Sequence, residues 1–188
     1  MVERTQRDIV AAYNRLIVKT DFDQITALTI AREAGISKAT FYRYFKDKFD
    51  VMNYNYKALL DHSIRLKNCK SYKDLYCTLY RAGQTQLQNI RKSFNSTGIN
   101  SFAYFIYRYS MNVVEQITRE NRNGDGFTPL EAMQVDVFCY GISYMYQKWI
   151  FGQYDITAEE AAQALSDIMP KSLRDYWFIQ VPQISKVI

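Results

Sequence analysis

The stretch AGISKATFYRYFKDK, Ala34 to Lys48, decides how this chain is read. It opens with Gly35 and Ser37. It then crowds two Phe, two Tyr, one Arg and three Lys into residues 38–48. Gly favours the position just past a helix end, and Ser is a strong helix N-cap. The spacing therefore predicts one helix stopping at Gly35 and a second, short one over 38–45, capped by Ser37. On a wheel of about 100° per residue, Phe41 and Phe45 share a face. Ala39, Thr40 and Arg43 lie opposite them, with Lys38, Tyr42 and Tyr44 on the flanks. The rings on one side are suited to a core, and the polar and cationic groups on the other to an anionic partner.

Working outward, Thr26 caps the preceding helix, whose apolar positions are Leu28, Ile30, Ala31 and Ala34. Two short helices joined by a Gly-containing turn make a helix-turn-helix. Before them, Ile9, Ala12, Tyr13, Leu16 and Ile17 recur at helical spacing; Thr5 is the expected N-cap, and the helix should end near residues 19–23. After them, a longer helix starts at Asp47 or a neighbour, with Met52, Tyr56, Leu59 or Leu60, and Ile64 on one face. Further helices are expected near 71–89, 101–120, 129–151 and 158–169, with a last piece around 173–178. No alternating strand pattern or internal repeat interrupts them. The reading is all-α.

Charge follows the same division. Residues 1–70 carry 13 Lys+Arg against 8 Asp+Glu, whereas residues 71–188 carry 11 of each. The whole excess of +5 sits in the first third, which points to an anionic partner for that part. No apolar run approaches the ~20 residues of a membrane span, and no apolar signal region follows the charged start. The cytosol is the default compartment, and no membrane partner is expected. Three cysteines, Cys69, Cys77 and Cys139, are too few and too scattered for a disulfide framework or a zinc site.

Residues 25–52, ITALTIAREAGISKATFYRYFKDKFDVM, resemble the DNA-binding signature of TetR-family transcriptional regulators. The matching elements are Thr26, Ile30-Ala31 and Ala34-Gly35-Ile36-Ser37, then Thr40-Phe41-Tyr42, Tyr44-Phe45 and Lys48. The resemblance implies a three-helix helix-turn-helix DNA-binding domain, placed here at residues 1–48. It also implies a helical effector-binding and dimerisation domain, placed at 49–188. It further implies a homodimer on double-stranded operator DNA, a small-molecule effector, and action as a repressor. By position, Thr26, Ser37, Lys38, Thr40, Tyr42, Tyr44 and Lys48 are implied DNA contacts. Ala39 stands where members often carry Gly or Pro and would lie near base edges. Arg43 is at a variable position from which it could read a base. Leu28 is apolar where some members carry a polar reading residue.

In the C-terminal part, Phe138, Ile142, Met145 and Trp149 form a packing seam, and Ala158, Ala161 or Ala162, Leu165 and Ile168 a second. Periodicity does not separate an internal core from a subunit interface. The resemblance assigns Phe138, Ile142, Met145, Trp149, Ala161, Leu165 and Ile168 to dimerisation. The segment from Tyr140 to Ile168 also resembles the regulator group that includes the dihydroxyacetone-kinase operon activator, which opens an activator or co-regulator role working through a partner protein. Aromatic abundance, with 16 Tyr, 11 Phe and 2 Trp, makes His62, Phe102, Phe105, Tyr109 and Tyr144 candidate effector-pocket residues.

Other chemistries find little support. His62, the one histidine, has no visible Ser or Cys and acid constellation. There is no phosphate-binding Gly loop and no HExxH pair. Asn121-x-Asn-x-Asp125-Gly126 resembles the start of a calcium loop, but its first residue is not acidic and Glu131 falls one residue short of the twelfth position. No catalytic residue, metal or cofactor is expected.

Overall fold

The computed structural model describes residues 2–67, 69–98 and 101–174. Their regular structure is helical, with no strand among them. In order they form α1 (Val2–Lys19), a 3-10 turn (Phe22–Gln24), α2 (Ala27–Glu33), α3 (Lys38–Tyr42), α4 (Lys48–Lys67) and α5 (Tyr72–Thr85). There follow α6 (Leu87–Ser93), α7 (Phe102–Asn121), α8 (Pro129–Ile150), α9 (Ala158–Asp167) and α10 (Lys171–Arg174). They gather into two compact units, one of Met1–Ala58 with Gln86–Phe105, the other of Leu59–Thr85 with the chain from Ile106. The sequence suggested a single division at residue 48. The first unit instead also takes in a second, distant segment, because its apolar positions pack there.

In the first unit, α1 buries Ile9, Ala12, Tyr13 and Ile17. Leu16 is only half-buried. Phe22 and Ile25 from the link, Ile30 and Ala31 from α2, Phe41 and Phe45, and Val51 and Met52 from α4 complete this core. The Asn14 and Asn55 amides bond reciprocally at 3.0 and 2.8 Å, tying α1 to α4. Arg15 pairs with the Glu33 carboxylate and donates to its carbonyl at 3.1 Å, so it caps the end of α2. From α6, Lys92 Nζ donates to the carbonyls of Ile17, Thr20 and Val18 at 2.8, 3.1 and 3.2 Å. A cation on carbonyls that α1 leaves unpaired favours the helix end electrostatically. Tyr13 is bonded to Ser93, and burial pushes its phenol up to about 12. Phe102, fully buried, takes Tyr56 and Phe94 edge-on at 4.8 Å each.

In the second unit, α5 lies against α9. Arg81 pairs with Glu159, and the Cys77 thiol donates to the same carboxylate at 3.3 Å. The Tyr80 ring meets Trp149 at 4.8 Å and Tyr146 at 5.1 Å. Tyr146 reaches so close to α5 that a Cβ on Gly83 would stand 2.0 Å from its hydroxyl. Gly83 is therefore needed for space. Trp149 Nε1 donates to the Ile156 carbonyl at 2.9 Å, holding the α8–α9 link. Tyr109 donates to the buried Asp61 at 3.0 Å.

Several boundaries differ from the periodicity reading. α1 begins at Val2, so Thr5 lies inside it rather than at its cap. The helix expected over 71–89 is two helices, broken at Gln86, whose backbone (φ −128°, ψ 29°) is not helical. α3 closes at Tyr42, and the chain to Phe45 continues as a looser turn, with Phe45 N–H still reaching Phe41 O at 3.1 Å. Of the piece expected at 173–178, residues 175–178 lie outside the described ones.

The α7–α8 loop is closed by charge. Arg122 grips both oxygens of Glu131 at 2.7 and 2.9 Å. Thr128 and Glu131 form a capping box at the head of α8. Glu131, the acid nearest a twelfth calcium-ligand position, is thus already engaged within the protein. The Arg122 guanidinium, then the Thr128 backbone N–H, hold its carboxyl down to about 2 from an ordinary 4.5. A carboxyl lowered on folding stabilises the native state above its unfolded value and loses that contribution as pH falls towards its folded value. The melting-temperature advantage of the wild type over Glu131→Gln should accordingly be full above pH 5, shrink below about 4.5 and vanish near 2. A difference that does not vary with pH would refute this charge-based closure. Phe41 is 0% exposed, so Phe41→Ala should destabilise by about 3–5 kcal/mol in denaturant melts; an unchanged midpoint would contradict the anchoring of α3.

Candidate nucleic-acid interface

The helix-turn-helix is built by local hydrogen bonds that its sequence supplies. Thr26 accepts from Thr29 N at 3.1 Å while Thr29 Oγ1 accepts from Thr26 N at 2.9 Å, a reciprocal capping box at the head of α2. α2 ends at Ala34. Gly35 then turns left-handed at φ 68°, which glycine does at little cost. The Gly35 and Ile36 amides return to the Arg32 and Ala31 carbonyls at 3.1 and 3.0 Å. Ser37 then starts α3 by accepting from Thr40 N at 3.0 Å.

The first turn of α4 repeats the device. Asp47 accepts from Asp50 N at 2.8 Å, and Asp50 accepts from Lys46 N at 3.0 Å.

Only five residues long, α3 cannot persist by its own hydrogen bonds, because short helices are marginal in water. Phe41 and Phe45 sit in the first unit's core, with ring centroids 6.2 Å apart. Phe45 meets Tyr54 edge-on at 5.5 Å, and Phe41 meets Tyr42 at 5.4 Å. The opposite side is open to solvent. Ser37, Lys38, Ala39 and Arg43 are exposed, Thr40 and Tyr44 half-buried, and Tyr42 is 50% exposed. Lys38 Nζ lies 5.8 Å from the Tyr42 ring centroid. Thr26 is exposed at the head of α2, and Leu28 is an exposed apolar residue beside it. The wheel division into a ring face and a polar face is therefore present in three dimensions.

Lys48 is placed differently from the other expected contacts. Its ammonium donates to the carbonyls of Phe22 at 2.8 Å and Asp23 at 3.3 Å, and sits 4.4 Å from the Phe22 ring centroid. Burial lowers its pKa from the usual lysine value. It ties the α1–α2 link to the head of α4. The spacing of residues gave no signal of this, because the partners are backbone atoms 25 and 26 positions away.

Residues 9–54 match the family described as bacterial regulatory proteins, tetR family. The chain carries a TetR-family helix-turn-helix domain. Over 61 residues it is 36% identical to the HTH-type transcriptional regulator HbdR of Aromatoleum sp. (strain CIB), covering 32% of this chain and 27% of that protein. Over 46 residues it is 44% identical to an uncharacterized HTH-type transcriptional regulator of Haemophilus influenzae, covering 24% and 22%. The chain thus spans about a quarter of the length of these curated relatives. Among solved structures it shares the fold of the dihydroxyacetone kinase operon activator DhaS, with TM-score 0.58 and 18% identity over 93% of this chain and 98% of that one. Among the described residues, no helix is long and apolar enough to cross a membrane.

The expected dimerisation residues divide once they are placed. Phe138, Ile142, Trp149, Ala161 and Leu165 are buried within the second unit of a single chain. Met145 is half-buried, and Ile168 is 68% exposed. A neighbouring row on α8 is instead at the surface: Leu130, Met133, Val137, Tyr140 and Tyr144, with Met133 69% and Val137 66% exposed. Met133 and Val137 of this row line an apolar groove of about 700 Å3 together with Phe138, Ile142, Met145, Leu165 and Ile168 of the expected seams. The periodicity reading named the seam residues and did not name the outer row. The missed signal was a second 3-4-3-4 spacing on α8, since a helix apolar on two faces needs two partners.

The expected effector-pocket residues are also scattered in environment. In the first unit, Phe102 and Phe105 are packed against Tyr56. In the second, Tyr109 is bonded to Asp61, while His62 and Tyr144 are exposed.

Proposed function

We propose that the chain is a cytoplasmic, DNA-binding transcriptional regulator that acts as a homodimer, most simply a ligand-responsive repressor on a palindromic operator. The observation that carries this reading is α3. In a TetR-type domain, this helix turns both phenylalanines inward and leaves Lys38, Ala39, Thr40, Tyr42 and Arg43 outward. Small Ala39 lets the backbone approach base edges. Hydroxyls of Thr26, Ser37, Thr40, Tyr42 and Tyr44 and the Lys38 ammonium bind phosphates and set register. Lys48 acts on DNA chiefly by holding the domain's shape. Residues 1–48 carry DNA binding, and 49–188 carry effector binding and dimerisation. The effector is a small molecule of unassigned chemistry. It favours a dimer state whose two α3 helices are wrongly spaced for successive major grooves.

The outer row of α8 with Ile168 supports the dimer better than the inner seam does. It gives each subunit a contiguous apolar face, which soluble monomers seldom expose. A second reading, an activator working through a partner protein, draws on the fold shared with the operon activator DhaS. It would show as a stoichiometric partner and as regulation that survives Lys38→Ala and Tyr42→Phe.

Fluorescence anisotropy against the DNA upstream of the chain's own and adjacent genes tests the main reading. Affinity should fall steeply with added salt and depend on sequence; absence of both would sink it. Tyr42→Phe keeps the ring packing but removes one hydroxyl. It should weaken operator binding about 3- to 10-fold, the effect of one net hydrogen bond, at unchanged melting temperature. Val137→Arg should convert a dimer to a folded monomer in light scattering, with operator affinity falling at least tenfold. A dimer that persists in Val137→Arg and in Met133→Arg would place the interface elsewhere.

A further inference from the structure

We propose that Arg43 reads a guanine in each half-site and that Thr40 is its positioning residue. The proposal rests on α3 being a DNA-contacting helix and adds how it chooses sequence. Arg43 Nη2 donates to Thr40 Oγ1 at 3.1 Å. Thr40 Oγ1 lies 2.9 Å from Ser37 Oγ, and Ser37 Oγ accepts the Thr40 backbone N–H at 3.0 Å. A continuous chain of bonds therefore runs from the capped start of α3 to the guanidinium at its end. Ser37, fixed as N-cap, orients Thr40, and Thr40 orients Arg43.

Counting protons shows what remains for a ligand. A guanidinium carries five N–H donors in a planar fork, and one is used by Thr40. The second N–H on Nη2 still pairs with a neighbour, end-on with one on Nη1 or side-on with Nε–H, so one parallel pair remains whichever proton Thr40 takes. That pair matches the O6 and N7 acceptors of a guanine edge in the major groove. No carboxylate competes for Arg43 among the described residues. The bond between Ser37 and Thr40 consumes one hydroxyl proton, so the other hydroxyl can still donate to a phosphate. Within α3 and its cap, no other side chain offers a planar two-donor fork. Lys38 is a point charge beside the Tyr42 ring, and Ala39 has no donor. Because Thr40 already restrains the arginine in the free protein, part of its rotamer freedom is lost before DNA arrives. Such preorganisation sharpens discrimination rather than raising affinity for every sequence alike.

The test is binding-site selection from a random double-stranded DNA pool with the full chain. Affinities for the selected site and for its single-base variants are then measured at one fixed salt concentration. The wild type should select a guanine in each half-site, and replacing it should cost about 10- to 100-fold. Arg43→Ala should flatten preference at that position while keeping the others. Thr40→Val should lower the ratio between guanine and other bases several-fold, and Thr40→Ser should restore it. A phosphate-only or structural role for Thr40 would scale all sequences equally and leave the ratio intact; that result overturns the positioning assignment. Undiminished guanine preference in Arg43→Ala overturns the reading assignment. Failure of the wild type to select any sequence would instead remove the DNA-binding reading on which both stand.

Discussion

The burial of Phe41 and Phe45 is the constraint on which the rest of the N-terminal unit depends. α3 is five residues long, too short to outweigh the entropy of its own nucleation. It exists because two rings are fixed in a core made by α1, α2, the Phe22–Ile25 link and the start of α4. Once those rings are inside, helical geometry determines which side chains must point away. The outward row of Lys38, Ala39, Thr40, Tyr42 and Arg43 follows from packing on the inward side. The hydrogen bonds among Ser37, Thr40 and Arg43 then order that row.

Around this core, cations serve as fasteners on backbone carbonyls. Lys48 closes the link between α1 and α2, Lys92 covers the end of α1, and Arg15 covers the end of α2. Lys92 and Arg15 place positive charge at helix ends, and Lys48 adds a second bond to the Phe22 carbonyl, which already accepts the Ile25 N–H. This bears on how the basic excess of the first third is interpreted. Net charge counts every cation, but Lys48 and Arg15 are engaged by groups of the fold itself. On α3 itself, Lys38 and Arg43 are the exposed cations.

The second unit depends on α8, which is apolar on more than one side. Its inner row, including Phe138, Ile142, Tyr146 and Trp149, packs against other parts of its own chain. Gly83 gives Tyr146 the space to do so. Its outer row remains exposed in the single chain.

Local patterns and local partners were legible in the sequence. The all-α class, the capping of α2 by Thr26 and of α3 by Ser37, the turn at Gly35 and the two faces of α3 all involve residues within about one helical turn. At that range, spacing and side-chain type settle the geometry. Tertiary structure alone decided which of two equally periodic rows on α8 lies inside, that Lys48 turns towards Phe22 and Asp23, and that the long helix expected over 71–89 breaks at Gln86. It also decided that the first unit recruits Gln86–Phe105. Those outcomes depend on surfaces brought together from distant parts of the chain. Periodicity records that a face must be buried, and only packing specifies against what.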